Sequence, residues 1–307
     1  MKILPIFSKG NKKFYQNDLI LPFKWSKLKK MTPKKDGNIV KIIQTNLNSS
    51  SMDEVLGLIE GRISRNKKTF IVTPNPEFLV YAQEHPWFAR LLMQSDIAIP
   101  DGVALLWARE VIKEKGFFKR LLKGFLTGLK VIFLGWGKRR VTGTDLTEKL
   151  CQLAAKNNWT VYFLGGKEKE RAPKALENMQ KEYPELKGWA NPGPILSLNS
   201  QGLSLEPTLE VKKIIEDINR KQPDFLFVAL NMGKQEKFIH DNWNQLKIKL
   251  GMGIGGAFDY LSGEIKRAPL WVQKIGFEWF YRLMKEPWRW KRQLRLLKFI
   301  WLILRES

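Results

Sequence analysis

A carboxylate stands where an apolar stretch of this chain gives way to a helical pattern. Asp101 follows the apolar stretch Asp96–Ile99 and Pro100, and Gly102 comes directly after it. A carboxylate at such a place is suited to act as a general base that takes a proton from a substrate hydroxyl. The same oxygens would equally suit a helix N-cap, which only has to accept backbone N–H bonds. Position alone leaves both interpretations open.

Other predicted strand ends carry groups that bind ligands: Thr73, Gly165, Gly166, Asn231 and the turn Gly253–Gly256. In a parallel sheet the carboxyl ends of the strands lie at one edge, and ligands bind beyond that edge. The sequence therefore predicts a rim that combines a hydroxyl, a carboxylate and several close backbone approaches.

Arginines recur in the tryptophan-rich stretch Gly255–Gln293. Arg282, Arg289 and Arg292 are seven and three residues apart, so on one helix they would share a face. Guanidinium groups match phosphate oxygens and keep their charge, so this face is suited to hold a diphosphate. The alternative is a solvated basic helix whose tryptophans fill a core.

The elements that must position these residues alternate between strand and helix patterns. Predicted strands are Ile39–Thr45, Thr69–Thr73, Asp96–Ile99, Thr160–Leu164, Leu186–Ala190, Asp224–Leu230 and Leu246–Leu250. Helices are predicted between them, with a capping box at Ser51–Glu54 and a cap at Thr144. This alternation predicts an α/β fold with a largely parallel sheet that helices cover on both faces.

Several classes of site are disfavoured. Gly251-Met-Gly-Ile-Gly-Gly256 matches GxGxxG formally, but it follows the last predicted strand and leaves no room for a dinucleotide-binding unit. The chain has no GxxxxGK[ST] and no Asp-x-Asp, and its two histidines and one cysteine predict neither a His/Cys metal cluster nor a disulfide. We predict no cofactor and no metal, so arginines would take the place of a metal on a diphosphate.

The net charge of +23 is concentrated in three segments: residues 1–38, 113–140 and 266–307 each carry +8, and the rest of the chain carries −1. We therefore divide the chain into a basic N-terminal arm (1–38), an α/β core (39–265) with a basic insertion (112–140), and a C-terminal appendage (266–307). Bulky apolar residues accompany the charge in the last two segments. An anionic membrane surface attracts segments that combine basic and bulky apolar residues. Nucleic acid would attract the charge but does not account for the apolar residues, so we expect no nucleic-acid partner.

The insertion has the pattern of an amphipathic basic helix. Its apolar residues follow helical spacing from Phe118 to Trp136, and Lys119, Lys123 and Lys130 face another way. A break at Gly124 or Gly128 is compatible with this pattern. A helix buried in the core is the alternative to a helix on a membrane surface, and the cationic face favours the membrane.

No run of eighteen apolar residues predicts a spanning helix, and the first residues lack the pattern of a signal peptide. We expect a cytoplasmic protein that is peripheral on the inner face of the plasma membrane.

Seven segments, in this order, resemble one family. They are Thr73-Pro-Asn-Pro-Glu77, Pro100-Asp-Gly-Val103, Val141-Thr-Gly-Thr-Asp145, Phe163-Leu-Gly-Gly166, Val228-Ala-Leu-Asn-Met-Gly-Lys-Gln-Glu236, Gly253-Ile-Gly-Gly-Ala-Phe-Asp259, and Arg267-Ala-Pro-x-Trp271 through Tyr281-Arg-Leu. The chain thus resembles the WecG/TagA/CpsF family of bacterial glycosyltransferases over about residues 39–293. Those enzymes transfer N-acetylmannosamine or its uronic acid from UDP to a polyprenol-diphosphate-linked GlcNAc in cell-surface polysaccharide synthesis.

The resemblance implies a Rossmann-like core and a C-terminal helical appendage that docks at the membrane and completes the active site. It implies that Asp101 is the general base, with Thr73 beside it, and that reaction proceeds with inversion. The implied substrate-binding residues are Asn75, Gly102, Gly165, Gly166, Asn231, Gln235, Gly255, Gly256, Arg282, Arg289 and Arg292, the arginines holding the UDP diphosphate.

The segments 1–38 and 112–140 depart from the usual pattern of that family but leave its motifs intact. The resemblance therefore predicts the reaction, whereas the exact acceptor and the way the protein binds the membrane stay open. The alternatives are a transferase of another UDP-hexose and a non-enzymatic basic protein that binds membrane or nucleic acid. The sequence does not identify the donor, the polymer that is made, or whether the protein forms a homo-oligomer.

Overall fold

A computed structural model of the chain describes residues 39–43, 45–48, 51–133, 141–196 and 209–306, all within a compact unit that spans Thr32–Ser307. The predicted arm 1–38 lies outside the described residues. The strands are β1 (Ile39–Ile42), β2 (Thr45–Asn48), β3 (Thr69–Val72), β4 (Ile97–Ala98), β5 (Thr160–Gly165), β6 (Lys187–Asn191), β7 (Phe225–Ala229) and β8 (Leu250–Gly253).

Thirteen helices accompany these strands in the described ranges. They are α1 (Met52–Ser64), α2 (Pro76–Glu84), α3 (Pro86–Gln94), α4 (Val103–Val111), α5 (Phe117–Phe133), α6 (Gly143–Lys156), α7 (Arg171–Glu182), α8 (Leu209–Lys221), α9 (Lys234–Asp241), α10 (Ala257–Leu261), α11 (Leu270–Lys274), α12 (Glu278–Lys285) and α13 (Trp290–Arg305). None of the helices in these ranges is both long and apolar enough to cross a bilayer.

Six strands form one parallel sheet in the order β4-β3-β8-β7-β5-β6. Every residue of β3, β7 and β8 is buried, as expected for strands covered on both faces. Phe163 of β5 stacks on Phe258 of α10 with ring centroids 4.7 Å apart, within the core between sheet and helices. The predicted α/β fold with a parallel sheet is confirmed.

Local capping explains where the first helices begin. Ser51 accepts a hydrogen bond from the Glu54 amide, and the Glu54 carboxylate accepts one from the Ser51 amide, so the predicted capping box is present. The cap of α6 is Thr142 rather than the predicted Thr144, because the Thr142 hydroxyl accepts from the Asp145 amide.

Two predicted strands are wrong in their extent. Ile39–Thr45 is not one strand of the main sheet; the chain turns at Ile43, whose φ is +42°, and β1 and β2 form a separate antiparallel pair. The last strand is Leu250–Gly253 rather than Leu246–Leu250, so Gly251 and Gly253, which were expected after the strand, lie inside β8. Side chains there have no room, since a Cβ at Gly253 would lie 2.8 Å from Gln235 Nε2. The first three residues of the formal GxGxxG motif thus belong to a strand that α9 approaches closely.

The three appendage arginines do not share one helix. Arg282 lies in α12, Arg289 ends a single turn of 3-10 helix at Pro287–Arg289, and Arg292 lies in α13. Pro287 lacks a backbone N–H and disfavours helical backbone in the preceding residue; Glu286 has φ −127° and ψ 72°. The helix predicted through all three arginines is therefore interrupted at Glu286.

The insertion does form a helix, α5, which runs without interruption through Gly124 and Gly128. The break that the pattern allowed at Gly124 or Gly128 is not present. Residues 134–140, which include Trp136 of the predicted pattern, lie outside the described ranges.

Candidate active site

The carboxyl ends of three neighbouring strands are joined by direct hydrogen bonds. The buried Thr73 hydroxyl, just past β3, donates to the Gly253 carbonyl of β8 at 3.3 Å. The Asp101 amide, past β4, donates to the Pro74 carbonyl at 2.8 Å. Gly143, at the start of α6, closes this corner, since a Cβ there would lie 3.3 Å from Thr73 Oγ1. The two predicted catalytic residues, Thr73 and Asp101, therefore lie on adjacent, mutually bonded loops.

Asp101 stands one residue before the position that caps α4. The N-cap residue is Gly102, whose φ of +96° is the left-handed conformation that favours glycine. Asp101 itself is half-buried at the rim. The backbone thus makes Gly102 rather than Asp101 the N-cap of α4, and Asp101 lies in the loop at the edge where the predicted ligand would bind.

Gln235 is fully buried and its amide is engaged at both ends. Its Oε1 accepts from the Gly255 amide at 3.0 Å, and its Nε2 donates to Glu236 Oε1 at 2.6 Å. The second Glu236 oxygen accepts from the Gly233 amide at 2.7 Å. Gln235, predicted to bind substrate, therefore holds the turn after β8 against the start of α9, and contributes to the site by shaping that turn.

Glu236 is a buried carboxyl that the sequence did not single out. Burial raises its pKa to about 7, against the hydrogen bonds from Gln235 and Gly233, which lower it. The carboxyl thus changes charge near neutral pH beneath the glycine turn.

The raised pKa of Glu236 makes the stability of the fold pH-dependent. The folded chain holds this proton more tightly than the unfolded chain, whose pKa is near the ordinary value of 4.5, so this stabilisation is present below that value and is lost as pH rises through about 7. We expect the unfolding free energy of wild type minus that of Glu236→Gln to fall between about pH 4.5 and about pH 7, by at most about 1.4 kcal/mol per pH unit, and to be flat at higher pH.

Urea unfolding at a series of pH values measures this difference. Glu216→Gln, at an exposed position of α8, is the matched control and should show no such trend. A difference for Glu236→Gln that stays flat across the range would contradict the assignment.

Glycines shape the rim at β5 and β7. Gly165 and Gly166 have φ of +102° and +115°, and the Gly166 amide donates to the Ala229 carbonyl at 2.9 Å. Asn231 is exposed, with φ of +69°. Since β5 lies two strands from β8, this part of the rim is roughly 10 Å from the end of β8. Gly165, Gly166 and Asn231 thus border the predicted site on the side away from Asp101.

Gly165→Ala is expected to destabilise the protein by about 2 kcal/mol or more, because it combines a left-handed backbone with a collision. A Cβ at Gly165 would lie 2.6 Å from the Ala229 carbonyl oxygen. Gly57→Ala is the control: Gly57 lies in α1 with no atom within 4 Å of the added carbon, and this change should stabilise by about 0.5–1 kcal/mol. Chemical denaturation of both variants measures the difference, and equal stabilities would refute the argument.

Arg282 and Arg289 converge on one carboxylate beside the glycine turn. Arg282 Nε donates to Glu286 Oε2 at 2.7 Å, and Arg289 Nη1 donates to the same oxygen at 3.1 Å. Arg282 Nη2 also reaches Asp259 Oδ2 at 3.2 Å, and a Cβ at Gly256 would lie 3.2 Å from the same nitrogen. The appendage thus brings two guanidinium groups to the end of β8, with an anionic group already between them.

The electrostatic surroundings of these two arginines differ. Burial lowers the pKa of Arg282, but Tyr260, Glu286 and Asp259 outweigh this effect and raise it. Burial lowers the pKa of Arg289 to about 10, helped by the charges of Arg282 and Arg292 and opposed by Glu286. Both guanidiniums remain charged at neutral pH. Arg289 has less anionic charge around it than Arg282, so an added anion would find its strongest attraction there.

Arg292 and Asn75, two further predicted substrate-binding residues, have structural partners. Arg292 forms an ion pair with Glu77 of α2, whose other oxygen accepts from Arg295 at 2.7 Å. The Asn75 side chain caps α2 by accepting from the Phe78 amide at 3.1 Å. In this conformation Arg292 thus holds α13 to α2 rather than joining the other two arginines.

Several carboxylates that organise the appendage had no predicted role. Glu286 follows Arg282 by four residues and precedes Arg289 by three, a spacing that signals ion pairs on helical backbone. Asp259 and Asp145 were visible only as motif members. Asp145 and Glu278 both pair with Arg267, which joins the start of the appendage to α6; burial lowers the pKa of Arg267, but these two carboxylates raise it overall.

A separate cleft of about 510 Å³ lies at the opposite, amino-terminal edge of the sheet. Phe70, Asp96, His240 and Trp243 are among its lining residues. The Asp96 carboxylate there is paired with Arg62 at 2.6 Å and accepts from the Phe70 amide at 2.8 Å. Because ligands of such sheets bind beyond the carboxyl ends of the strands, we assign the site to the Thr73–Asp101 rim and not to this cleft.

The family model that matches this chain and the similar known proteins point to the same family. The sequence matches the glycosyl transferase WecG/TagA/CpsF family over residues 40–121 and 123–307. A Bacillus subtilis N-acetylglucosaminyldiphosphoundecaprenol N-acetyl-beta-D-mannosaminyltransferase is 31% identical over 77% of this chain and 79% of its own length. Proteins of the same name from Bacillus spizizenii and Staphylococcus aureus are each 28% identical, over 80% and 74% of this chain and 82% and 75% of their own lengths.

Proposed function

The chain belongs to the glycosyl transferase WecG/TagA/CpsF family and, from that premise, we propose that it transfers N-acetylmannosamine from UDP to a polyprenol-diphosphate-linked GlcNAc. As a glycosyltransferase it acts in the synthesis of a cell-surface polysaccharide. The uronic acid of N-acetylmannosamine is the alternative donor sugar. The observation that carries the proposal is the meeting of the Thr73–Asp101 loops, the end of β8 and two appendage arginines at one rim.

The proposed reaction is a direct displacement. Asp101 takes the proton of the acceptor hydroxyl while the oxygen of that hydroxyl attacks the anomeric carbon of the donor. The bond from the anomeric carbon to the UDP oxygen breaks at the same time, and the configuration at that carbon is inverted. UDP leaves with the electron pair of that bond. Arg282 and Arg289 stabilise the charge that develops on its diphosphate, since fixed guanidiniums near a developing charge lower the barrier.

The remaining groups position the substrates. Thr73 is the neighbour of Asp101 on the acceptor side, and Asn75 and Gly102 belong to the same two loops. Gly255 and Gly256 allow the diphosphate to approach the backbone after β8, with Gln235 fixing that turn from below. Gly165, Gly166 and Asn231 border the donor on the other side.

The proposed location follows from the acceptor. A polyprenol-linked sugar stays at the bilayer, so the enzyme meets it as a peripheral protein on the inner face of the plasma membrane, where anionic lipid attracts its basic segments. The appendage, residues 266–307, is the part proposed to dock there. Exposed Trp271, Trp279, Trp288 and Trp290 along it suit a membrane interface, where amphipathic rings concentrate.

Purified protein incubated with UDP-N-acetylmannosamine and a short-chain polyprenol-diphosphate-GlcNAc tests the proposal, with the disaccharide product measured by mass spectrometry. Parallel reactions receive the uronic-acid donor, UDP-GlcNAc or EDTA. We expect transfer from one of the two mannosamine donors, none from UDP-GlcNAc, and product despite EDTA. Failure with both mannosamine donors would overturn the proposed substrate, and a strict metal requirement would overturn the role given to the arginines.

A further inference from the structure

Helix α5 presents its apolar side to the outside of the protein. The residues it buries are Arg120, Gly124, Thr127 and Val131, which are mostly small or polar. Its large apolar side chains are exposed instead: Phe117, Phe118, Leu121, Leu122, Phe125, Leu126, Leu129, Ile132 and Phe133. Phe118 and Phe133 are 82% and 78% exposed. This arrangement is the reverse of the one expected for a helix on the surface of a water-soluble protein.

Specific contacts fix the helix in this orientation. A Cβ at Gly124 would lie 2.9 Å from the Trp107 ring, and Trp107 Nε1 donates to the Gly124 carbonyl at 2.8 Å. Arg120 Nε donates to the Glu114 carbonyl at 2.9 Å. Further along, Gly276 of the appendage lies against Val131, where a Cβ would approach to 3.2 Å. Gly124 leaves the room that Trp107 of α4 occupies, so this face of α5 packs on α4 and the apolar face is held outward.

The charges of α5 lie beside the apolar face. Lys119, Lys123 and Lys130 are at spacings that place them on one flank of the exposed apolar face. No acidic residue occurs between Lys115 and Thr144, and Glu114, just before this range, lies 3.6 Å from Lys123. A row of lysines along an apolar face matches a surface that is apolar within and anionic at its boundary. A partner protein that covered this face would need an apolar surface bordered by anionic groups.

We propose that α5 lies in the plane of an anionic lipid bilayer, with its outward apolar face inserted among the acyl chains and its lysines at the headgroups. Seventeen residues give the helix a length of about 25 Å, enough for a long shallow contact. Helix α5 also contacts α13, so its insertion fixes the appendage relative to the membrane. The inference rests on the proposed function for its purpose, delivery of the site to a lipid-linked acceptor, but lipid binding is tested without any reaction.

A fluorescent label on α5 tests the insertion directly in the full-length protein. Cys151, the one cysteine of the chain, is buried, so Leu122→Cys provides a single exposed thiol for an environment-sensitive NBD label. Vesicles of phosphatidylcholine with phosphatidylglycerol should shift its emission to the blue and raise its intensity at least twofold, and pure phosphatidylcholine should do much less. The same label at Lys212→Cys, an exposed position of α8, should not respond. An unchanged spectrum at Leu122→Cys with anionic vesicles would overturn the proposal.

The same experiment shows whether a second copy of the chain, rather than lipid, covers the apolar face of α5. If the label shifts without lipid as protein concentration rises, and sedimentation shows a dimer over the same range, the face is a self-association surface and the proposal is wrong. We expect no lipid-independent shift.

A triple variant separates lipid binding from catalysis. Phe118→Ser, Leu122→Ser and Phe125→Ser together remove exposed apolar groups without touching the buried face, so the fold should persist by circular dichroism. Vesicle co-sedimentation should weaken at least tenfold, whereas Ile195→Ser, at another exposed apolar residue, should leave it unchanged. With a water-soluble short-chain acceptor the triple variant should keep wild-type transfer. Undiminished vesicle binding would overturn the inference, whereas failure of the proposed function would appear as no transfer by the wild type.

Discussion

Asp101→Asn is expected to lower kcat by a factor of about 10²–10⁴, the range that a positioned general base contributes. The amide keeps the size and shape of the carboxylate but no longer accepts the proton of the acceptor hydroxyl. The backbone bond from the Asp101 amide to the Pro74 carbonyl does not depend on the side chain, so the loop should keep its place. UDP affinity, measured by calorimetry, should remain within about twofold of the wild type because the proposed diphosphate contacts lie on the appendage.

The control is Asp53→Asn, which removes an exposed carboxylate from the first turn of α1. It should leave kcat unchanged. Steady-state kinetics with saturating acceptor distinguishes a lost base from weakened binding, since the first lowers kcat and the second raises KM. Near-normal turnover of Asp101→Asn would mean that another group accepts the proton.

The strands and their rim were predictable because the signals are local. Apolar β-branched and aromatic runs such as Asp224–Leu230 leave little choice of structure when both faces are covered. Residues that follow such runs, Thr73 and Asp101 among them, must then lie at one edge of a parallel sheet. The strand that was misplaced, β8, is built on glycines, because α9 approaches it too closely for side chains. A close approach of that kind depends on tertiary packing and leaves no local signal.

The contacts that hold the apolar face of α5 outward were beyond the sequence for a different reason. Periodicity shows which residues share a face but not which face the protein buries. In α5 the buried face is determined by Trp107, which packs on Gly124. The two residues are 17 positions apart in the chain, so this contact is not visible in the periodicity of the helix. The partners of the arginines were likewise hidden. The sequence placed Arg292 with Arg282 and Arg289, whereas in the structure it pairs with Glu77, more than 200 residues away along the chain.

Arg289→Ala is expected to weaken UDP binding by about 10- to 100-fold, the effect of losing a charge-assisted hydrogen bond worth about 1.5–3 kcal/mol. Arg289 is the better probe of the two convergent arginines. Arg282 also pairs with Asp259 and lies over the Tyr260 ring, so its removal would disturb the end of β8 as well. The hydrogen bond from Arg289 goes to Glu286, within the appendage. Burial and the neighbouring cations also lower the pKa of Arg289.

Three companion variants show what Arg289 contributes. Arg220→Ala removes the same charge from an exposed position of α8 and should leave UDP affinity unchanged, which excludes a general charge effect. Arg289→Lys keeps the charge but loses the planar fork, so we expect recovery of at most a part of the affinity. Glu286→Gln removes the anion that lies between the two guanidiniums and should tighten UDP binding, because the diphosphate then competes with one carboxylate fewer, Asp259 remaining beside Arg282. If Arg289→Ala binds UDP as tightly as the wild type, the diphosphate does not lie between these arginines, and their convergence on Glu286 serves only to hold α12 to α13.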